Sequence, residues 1–278
     1  MAEPTRITMD DLVLTRVLYT DALIDPEATG LTAAEMAAVP WNDERWSADG
    51  QIRVGAAAWV ASQGDRHVVI DPFGNADDIF HDRQFSGDHR RAMSAAFDAA
   101  GIPIDQVTAV VLSHIEGLGM SAVRGGDHSD VVRWVPFFPN ATINVSEASR
   151  LDFESTPHDH WTDDVWERLF ADDLVATYRE TTTFLPSMTA EWTGAHNPGL
   201  HVFHFGDPSR PDATYVGHLA VSPLHLSTGV CHPQHPEPER AWELLHSFAD
   251  DGRILLAPLW PSPGAGRWTG SEFVAVER

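Results

Sequence analysis

Apolar residues in this chain gather into short runs bounded by turn-forming residues, and stretches of helical spacing alternate with those runs. Strands are predicted near Ile52 to Ala61 and His67 to Ile70, flanking a Gly64-Asp65 turn. Ser86 to Ala100 has the pattern of a helix stopped by Gly101. The apolar run Val107 to Leu112 has strand composition and ends in Ser113-His114, which predicts His114 where a buried strand opens into a loop. The second half repeats the alternation. A helix near Asp163 to Phe170 precedes strands near Leu200 to Phe205 and Ala213 to Val216, then a helix Glu237 to Ala249 and a strand Ile254 to Ala257. Residues 1–50 form a leader packed on the core, with Thr32-Ala33-Ala34-Glu35 as a capping box for a short helix through Val39. Residues 51–278 form one domain, and strands alternating with helices in two halves predict an α/β (α+β) class with helix-faced sheets.

Composition narrows the function classes. At 278 residues and 43% hydrophobic, with 10 Trp, the chain can build a sizeable core and an aromatic-lined pocket. Trp41 and Trp46 are expected to pack on the body of the domain; lining the pocket mouth or a homodimer interface is the alternative. The formal net charge is -23 and all 18 basic residues are Arg. So acidic a surface repels phosphate backbones and anionic lipid, which leaves a small-molecule substrate as the expected partner and argues against nucleic acid and membrane. The single Cys231 excludes an internal disulfide and a thiolate metal cluster. No apolar stretch reaches the roughly 18 residues of a membrane span, and no signal-like run opens the chain, so a cytoplasmic protein is expected. Without lysine there is neither a phosphate loop of the Gly-Lys-Ser/Thr kind nor a Schiff base, and Gly-x-Ser-x-Gly is absent too.

Seven segments carry a family resemblance, the loop at His114 and six others in order along the chain. Val110-Val111-Leu112-Ser113-His114-Ile115-Glu116-Gly117-Leu118-Gly119-Met120 is similar to a strand followed by the His-x-His-x-Asp-His loop of the metallo-β-lactamase superfamily, with His114, Glu116, Leu118 and Gly119 at the four ligand positions. Upstream, Val68-Val69-Ile70-Asp71-Pro72-Phe73-Gly74-Asn75 resembles the family's strand, Asp-Thr-Gly and Gly-Asn segment, and Ala100-Gly101-Ile102-Pro103 its helix-to-strand link. Phe137-Phe138-Pro139-Asn140-Ala141 resembles Phe-Pro-Asn-Ala of the lactonase and organophosphate-hydrolase branch. Gly194-Ala195-His196-Asn197-Pro198-Gly199-Leu200 resembles Gly-His-Thr-Pro-Gly-His, and Tyr215-Val216-Gly217-His218 the strand ending Gly-Asp, with His218 in place of the bridging Asp. Pro258-Leu259-Trp260-Pro261-Ser262-Pro263-Gly264-Ala265-Gly266-Arg267 resembles Ala-His-Phe-Pro-x-Pro-Gly-x-Gly-Arg, with Leu259 in place of the last metal His. The resemblance implies a four-layer αββα metallo-β-lactamase-like sandwich.

It also implies an asymmetric loss of ligands. The family's first metal site falls on His114, Glu116, His196 and His218, all able to bind metal, whereas the second falls on Leu118, Gly119, His218 and Leu259, which leaves one donor. The expected centre is mononuclear, and three imidazoles with a carboxylate suit Zn, Fe, Mn or Ni without selecting among them. His114, Glu116 and His218 are the expected catalytic residues, with Glu116 as ligand or general base in a hydrolase of a small ester or lactone. Two alternatives stay open: a mononuclear iron oxygenase, and a metal-free lyase, isomerase or binding protein whose half-apolar cavity takes an organic ligand. With 15 His in the chain, the same residues also fit a hydrogen-bonded remnant without metal. Thr156-Pro157-His158-Asp159-His160-Trp161 is expected to be a loop or lid rather than a metal motif, and the proline-broken Cys231-His232-Pro233-Gln234-His235-Pro236 is not expected to bind metal. His225 is a candidate for a supporting contact to the site, with a core or surface role as the alternative.

Overall fold

A computed structural model describes residues 4–72, 89–115, 120–124, 132–155, 170, 174–233 and 235–276. The predicted helix start at Ser86, most of the helix near Asp163 to Phe170, the Thr156–Trp161 stretch, Glu116, Leu118 and Gly119 lie outside the described residues.

Two sheets carry the fold. The first contains β1 (Arg6–Met9), β2 (Leu12–Ile24), β3 (Ser47–Ala48), β4 (Gln51–Gln63), β5 (Arg66–Ile70), β6 (Val107–Val111), β9 (Thr142–Ser146) and β10 (Val175–Tyr178), while β7 (Met120–Arg124) and β8 (Val132–Pro136) pair separately. Its order is β1-β2-β4-β5-β6-β9-β10, with β3 beside β4. Strands β5, β6, β9 and β10 run parallel, and the others antiparallel. The second sheet runs in sequence order through β11 (Thr181–Leu185), β12 (Met188–Trp192), β13 (His201–Asp207), β14 (Arg210–Tyr215), β15 (Ile254–Leu256), β16 (Ala265–Trp268) and β17 (Phe273–Ala275). Only the β14–β15 pair in it is parallel, because the helix between them carries the chain back across the sheet.

The strand side chains divide the core into three slabs. Trp59 and Ala61 of β4, Val68 and Ile70 of β5 and Val111 of β6 face Met188, Phe203, Phe205, Tyr215 and Leu256 of the second sheet. Between them, Ala58 and Val60 point the other way, onto Met93, Ala96, Phe97 and Ala100 of a helix α2 (His89–Ala100). The outer face of the second sheet, with Val202, Val216 and Leu255, packs on Ala241, Leu245, Phe248 and Ala249 of a helix α5 (Pro238–Asp250). Helix, sheet, sheet and helix are four layers, and β4 is apolar on both faces because it is covered on both. Among the described residues no helix is long and apolar enough to cross a membrane.

Local signals in the sequence find their places. Thr32 and Glu35 form a reciprocal capping box on a short helix α1 (Ala33–Ala38), and Gly101, at φ 69°, turns the chain out of α2. Trp41 and Trp46 pack edge to face at 6.1 Å and both meet Phe273, so they cover the body of the domain. The leader itself holds three strands that periodicity did not flag, β1, β2 and β3. Strand β2 pairs with β4 from Leu12↔Gln63 to Ile24↔Ile52, with a bulge between Leu18 and Thr20.

Candidate metal centre

Three histidines meet where the strands of both sheets end. His114 lies three residues beyond β6 in the first sheet, His218 lies in a one-turn 3-10 helix (Gly217–Leu219) after β14 in the second, and His196 lies in the loop joining β12 to β13. Their rings are 4.8 Å (His114 to His218), 5.2 Å (His114 to His196) and 5.5 Å (His196 to His218) apart between centroids. One nitrogen from each lies within 4.8 Å of the others, and all three side chains are buried. Among the described residues this is the group of three able to hold a metal ion.

The backbone around the cluster is held by specific contacts. The His201 N–H donates to the Ser113 carbonyl at 2.8 Å, tying the end of the His196 loop to the His114 loop across the two sheets. Gly199 lies so close to Ser149, on a helix α3 (Glu147–Ser155), that a Cβ there has no room, and its carbonyl accepts from the Ser146 and Ser149 hydroxyls. Gly217 sits at φ 56° with its α-carbon facing Ser113; a Cβ would lie 3.3 Å from the Ser113 hydroxyl. That close approach sets His218 beside His114.

A buried carboxylate organises the His114 side. Asp71 follows β5 and accepts the Ser113 N–H at 2.6 Å, the Ser113 hydroxyl at 2.5 Å and the Tyr215 hydroxyl at 2.8 Å. Burial first, then the Asp71 charge, pushes the Tyr215 hydroxyl well above its ordinary range, so it stays a donor. The Ser113 proton is committed to Asp71, which leaves the Ser113 oxygen to accept from His114 Nδ1 at 2.9 Å. His114 therefore carries its proton on Nδ1 and its lone pair on Nε2, the arrangement of a histidine that ligates through Nε2. Asp71 appeared in the sequence only as part of a motif, with no role.

Other histidines divide sharply. His225 lies on a one-turn helix α4 (His225–Thr228), where Nε2 faces the Thr29 carbonyl at 3.0 Å while Nδ1 meets the Ser222 backbone. It thus has the core role, tying residue 29 to the turn after His218, and not the contact to the site. His235, in the proline-broken loop, instead places Nδ1 3.1 Å from His196 Nδ1 and Nε2 3.2 Å from the Leu219 carbonyl. Its ring and that of His232 are 5.0 and 5.9 Å from His196. Burial, opposed by the Leu219 carbonyl and helped by neighbouring His225 and His218, lowers the His235 pKa to about 4. Sequence reasoning missed this residue because proline spacing in a loop carries no signal of a contact made 39 positions away. Leu259 is half-buried against the apolar cluster of the second sheet's outer face, and its carbonyl accepts from Gly55 N–H at 2.8 Å. A cleft of about 480 Å³ is lined by Cys231, His232, His235, Glu239, Trp242 and Glu243 among others, and His235 joins it to the cluster through the contact with His196.

Burial gives the fold an acid sensitivity. The pKa values of His225 and His201 are both lowered, in each case mainly by burial. Near pH 6 the unfolded chain binds protons at these side chains, at the ordinary value of about 6.5, while the folded chain binds fewer. Stability therefore rises with pH through that window and is lost as pH falls from 7 to 5. Thermal melts across this range should show a falling Tm; a flat Tm would contradict the burial of these neutral rings.

Neither a protein-family model nor a curated protein matches the sequence. Solved structures do. The hydrolase AbOPH of the β-lactamase superfamily superposes with a TM-score of 0.75 at 17% identity, over 100% of this chain and 99% of that one. AidC, a dizinc quorum-quenching lactonase in complex with the product N-hexanoyl-L-homoserine, matches with a TM-score of 0.72 at 16% identity, over 99% and 98% of the two chains. A probable metal-dependent hydrolase from Staphylococcus aureus follows at 0.70 and 13%, over 98% and 99%. Four layers around two sheets, three histidines at the strand ends and full-length superposition agree: this chain has the metallo-β-lactamase fold, the fold of these hydrolases.

Proposed function

We propose that this protein is a single-metal hydrolase of a small organic ester or lactone, with His114, Glu116, His196 and His218 as the ligand set. The observation that carries the reading is the convergence of three buried imidazoles, with His114 set to offer Nε2, in a fold whose solved relatives include hydrolases and a dizinc lactonase. The donor set fits a divalent ion of the Zn, Fe or Mn kind. Such an ion supplies Lewis acidity towards a carbonyl and acidifies water. The chain's own residues do the rest. Asp71 and Ser113 hold the His114 ring by its Nδ1–H, and the Glu116 carboxylate is the fourth ligand or takes the proton of the attacking water. The cleft beside His235 and Trp242 takes the organic part of the substrate. Leu118, Gly119 and Leu259 offer no donor atoms, so one ion per chain is the expected load, and the two-metal mechanism has no place here.

The test is turnover of a panel of chromogenic esters and lactones by metal-loaded protein. Hydrolysis should appear and should fall by about 10²-fold or more in Glu116→Gln, since an amide neither takes the proton nor ligates well. Leu118→Asp should restore nothing, because Gly119 and Leu259 remain without donors. Near-normal turnover by Glu116→Gln would remove that residue from the mechanism. Dioxygen uptake without hydrolysis, by iron-loaded protein, would move the chain to the oxygenase alternative.

A further inference from the structure

His235 touches two of the three segments that present the histidine cluster, one with each ring nitrogen. Nε2 lies 3.2 Å from the carbonyl of Leu219, the residue after His218, and Nδ1 lies 3.1 Å from Nδ1 of His196. A carbonyl oxygen only accepts, so the proton of this ring sits on Nε2. The His235 ring is 5% exposed, and with its proton on Nε2 the ring turns the Nδ1 lone pair towards His196. A nitrogen-to-nitrogen contact at hydrogen-bond distance holds one proton, and it must then come from His196 Nδ1. His196 accordingly carries its own lone pair on Nε2, the same tautomer that Ser113 imposes on His114.

The loop that carries His235 is itself seated. Its backbone turns through a hydrogen bond from His235 N–H to the His232 carbonyl at 3.0 Å. Beneath it lies Gly30, at φ 80°, where a Cβ would meet the Cys231 carbonyl oxygen at 2.8 Å and Pro233 Cδ at 3.1 Å. The loop therefore rests on backbone, and the ring is delivered to a fixed place.

We propose that His235 is a positioning residue: it fixes His196 in the Nδ1–H tautomer with Nε2 as the donor atom, and it ties the His196 loop to the His218 turn. The consequence for metal rests on the single-metal reading above; the tautomer does not. A histidine ligand whose second nitrogen is held by a partner keeps its orientation and basicity, and loss of such a partner costs about 10- to 100-fold in metal affinity.

The experiment has two readouts. Long-range ¹H–¹⁵N NMR of metal-free protein at neutral pH should show His196 as the Nδ1–H tautomer and His235 as the Nε2–H tautomer, with the His196 signals moving towards Nε2–H in His235→Ala. Zinc affinity, measured by competition with a chromogenic chelator, should fall about 10- to 100-fold in His235→Ala. His235→Asn, whose Oδ1 stands where Nδ1 stood, should keep the His196 tautomer and most of the affinity. An Nε2–H tautomer of His196 in the wild type would overturn the proposal, as would unchanged affinity in His235→Ala. Should the wild type take up no zinc, the single-metal reading fails, while the tautomers still decide whether His235 holds His196.

Discussion

His114→Ala should lower zinc affinity by more than about 100-fold and leave the chain folded. Removing a hydrogen-bond partner of a ligating histidine costs about 10- to 100-fold in affinity, so removing the ligand itself should cost more. His114 is also the residue best prepared for ligation, with its Nδ1 proton held by Ser113 and its ring 4.8 Å from that of His218. It lies beyond the end of β6, so no ladder hydrogen bond depends on its side chain. Chelator competition together with a thermal melt separates the two effects. Unchanged affinity, with a native melt, would show that metal at this protein sits elsewhere.

Asp71→Ala should have the largest effect on stability of any single change at the site, about 3 kcal/mol or more. The carboxylate is 5% exposed and accepts from the Ser113 backbone, the Ser113 hydroxyl and the Tyr215 hydroxyl. Each buried donor left without an acceptor costs about 1–3 kcal/mol, and three are stranded at once. Asp71 also sits at φ 42°, a region that Asp tolerates better than Ala does, which adds strain. The Ser113 hydroxyl is then released from its role towards His114, so metal affinity should fall with stability. Urea unfolding measures the first and chelator competition the second. A loss under about 1 kcal/mol would mean that water replaces the carboxylate, and that Asp71 does not organise the loop.

The parts of the fold visible in the sequence are those where one physical signal dominates. Val107 to Leu112 is apolar at every position but Thr108, and its end at Ser113-His114 is where β6 opens towards the other sheet. Thr32 and Glu35 announced their helix because a capping box is local chemistry. Strands β1 and β2 stayed hidden, since the turn between them is made by Asp10 at φ 51° without glycine, asparagine or proline to mark it. The hairpin of β11 and β12 was missed for a different reason. Thr181, Thr182 and Thr183 open a strand whose outer positions are exposed, so no apolar alternation flags it. At the candidate centre, motif order pointed to the histidines at 114, 196 and 218, which the fold brings together, while Glu116 lies outside the described residues. Asp71 and His235 needed coordinates. Their roles are contacts across 42 and 39 positions, and no residue type in that spacing predicts a shared proton.

Elemental analysis of protein purified without a His tag decides whether a single metal is held by these histidines. The proposed function predicts about one equivalent of a transition metal per chain, lost in His114→Ala, because the family resemblance leaves only His218 as a donor in the second set of positions. Two tightly bound ions per chain would contradict the loss of the second site, and a chain that takes up none from excess zinc, iron or manganese would contradict the metal centre altogether.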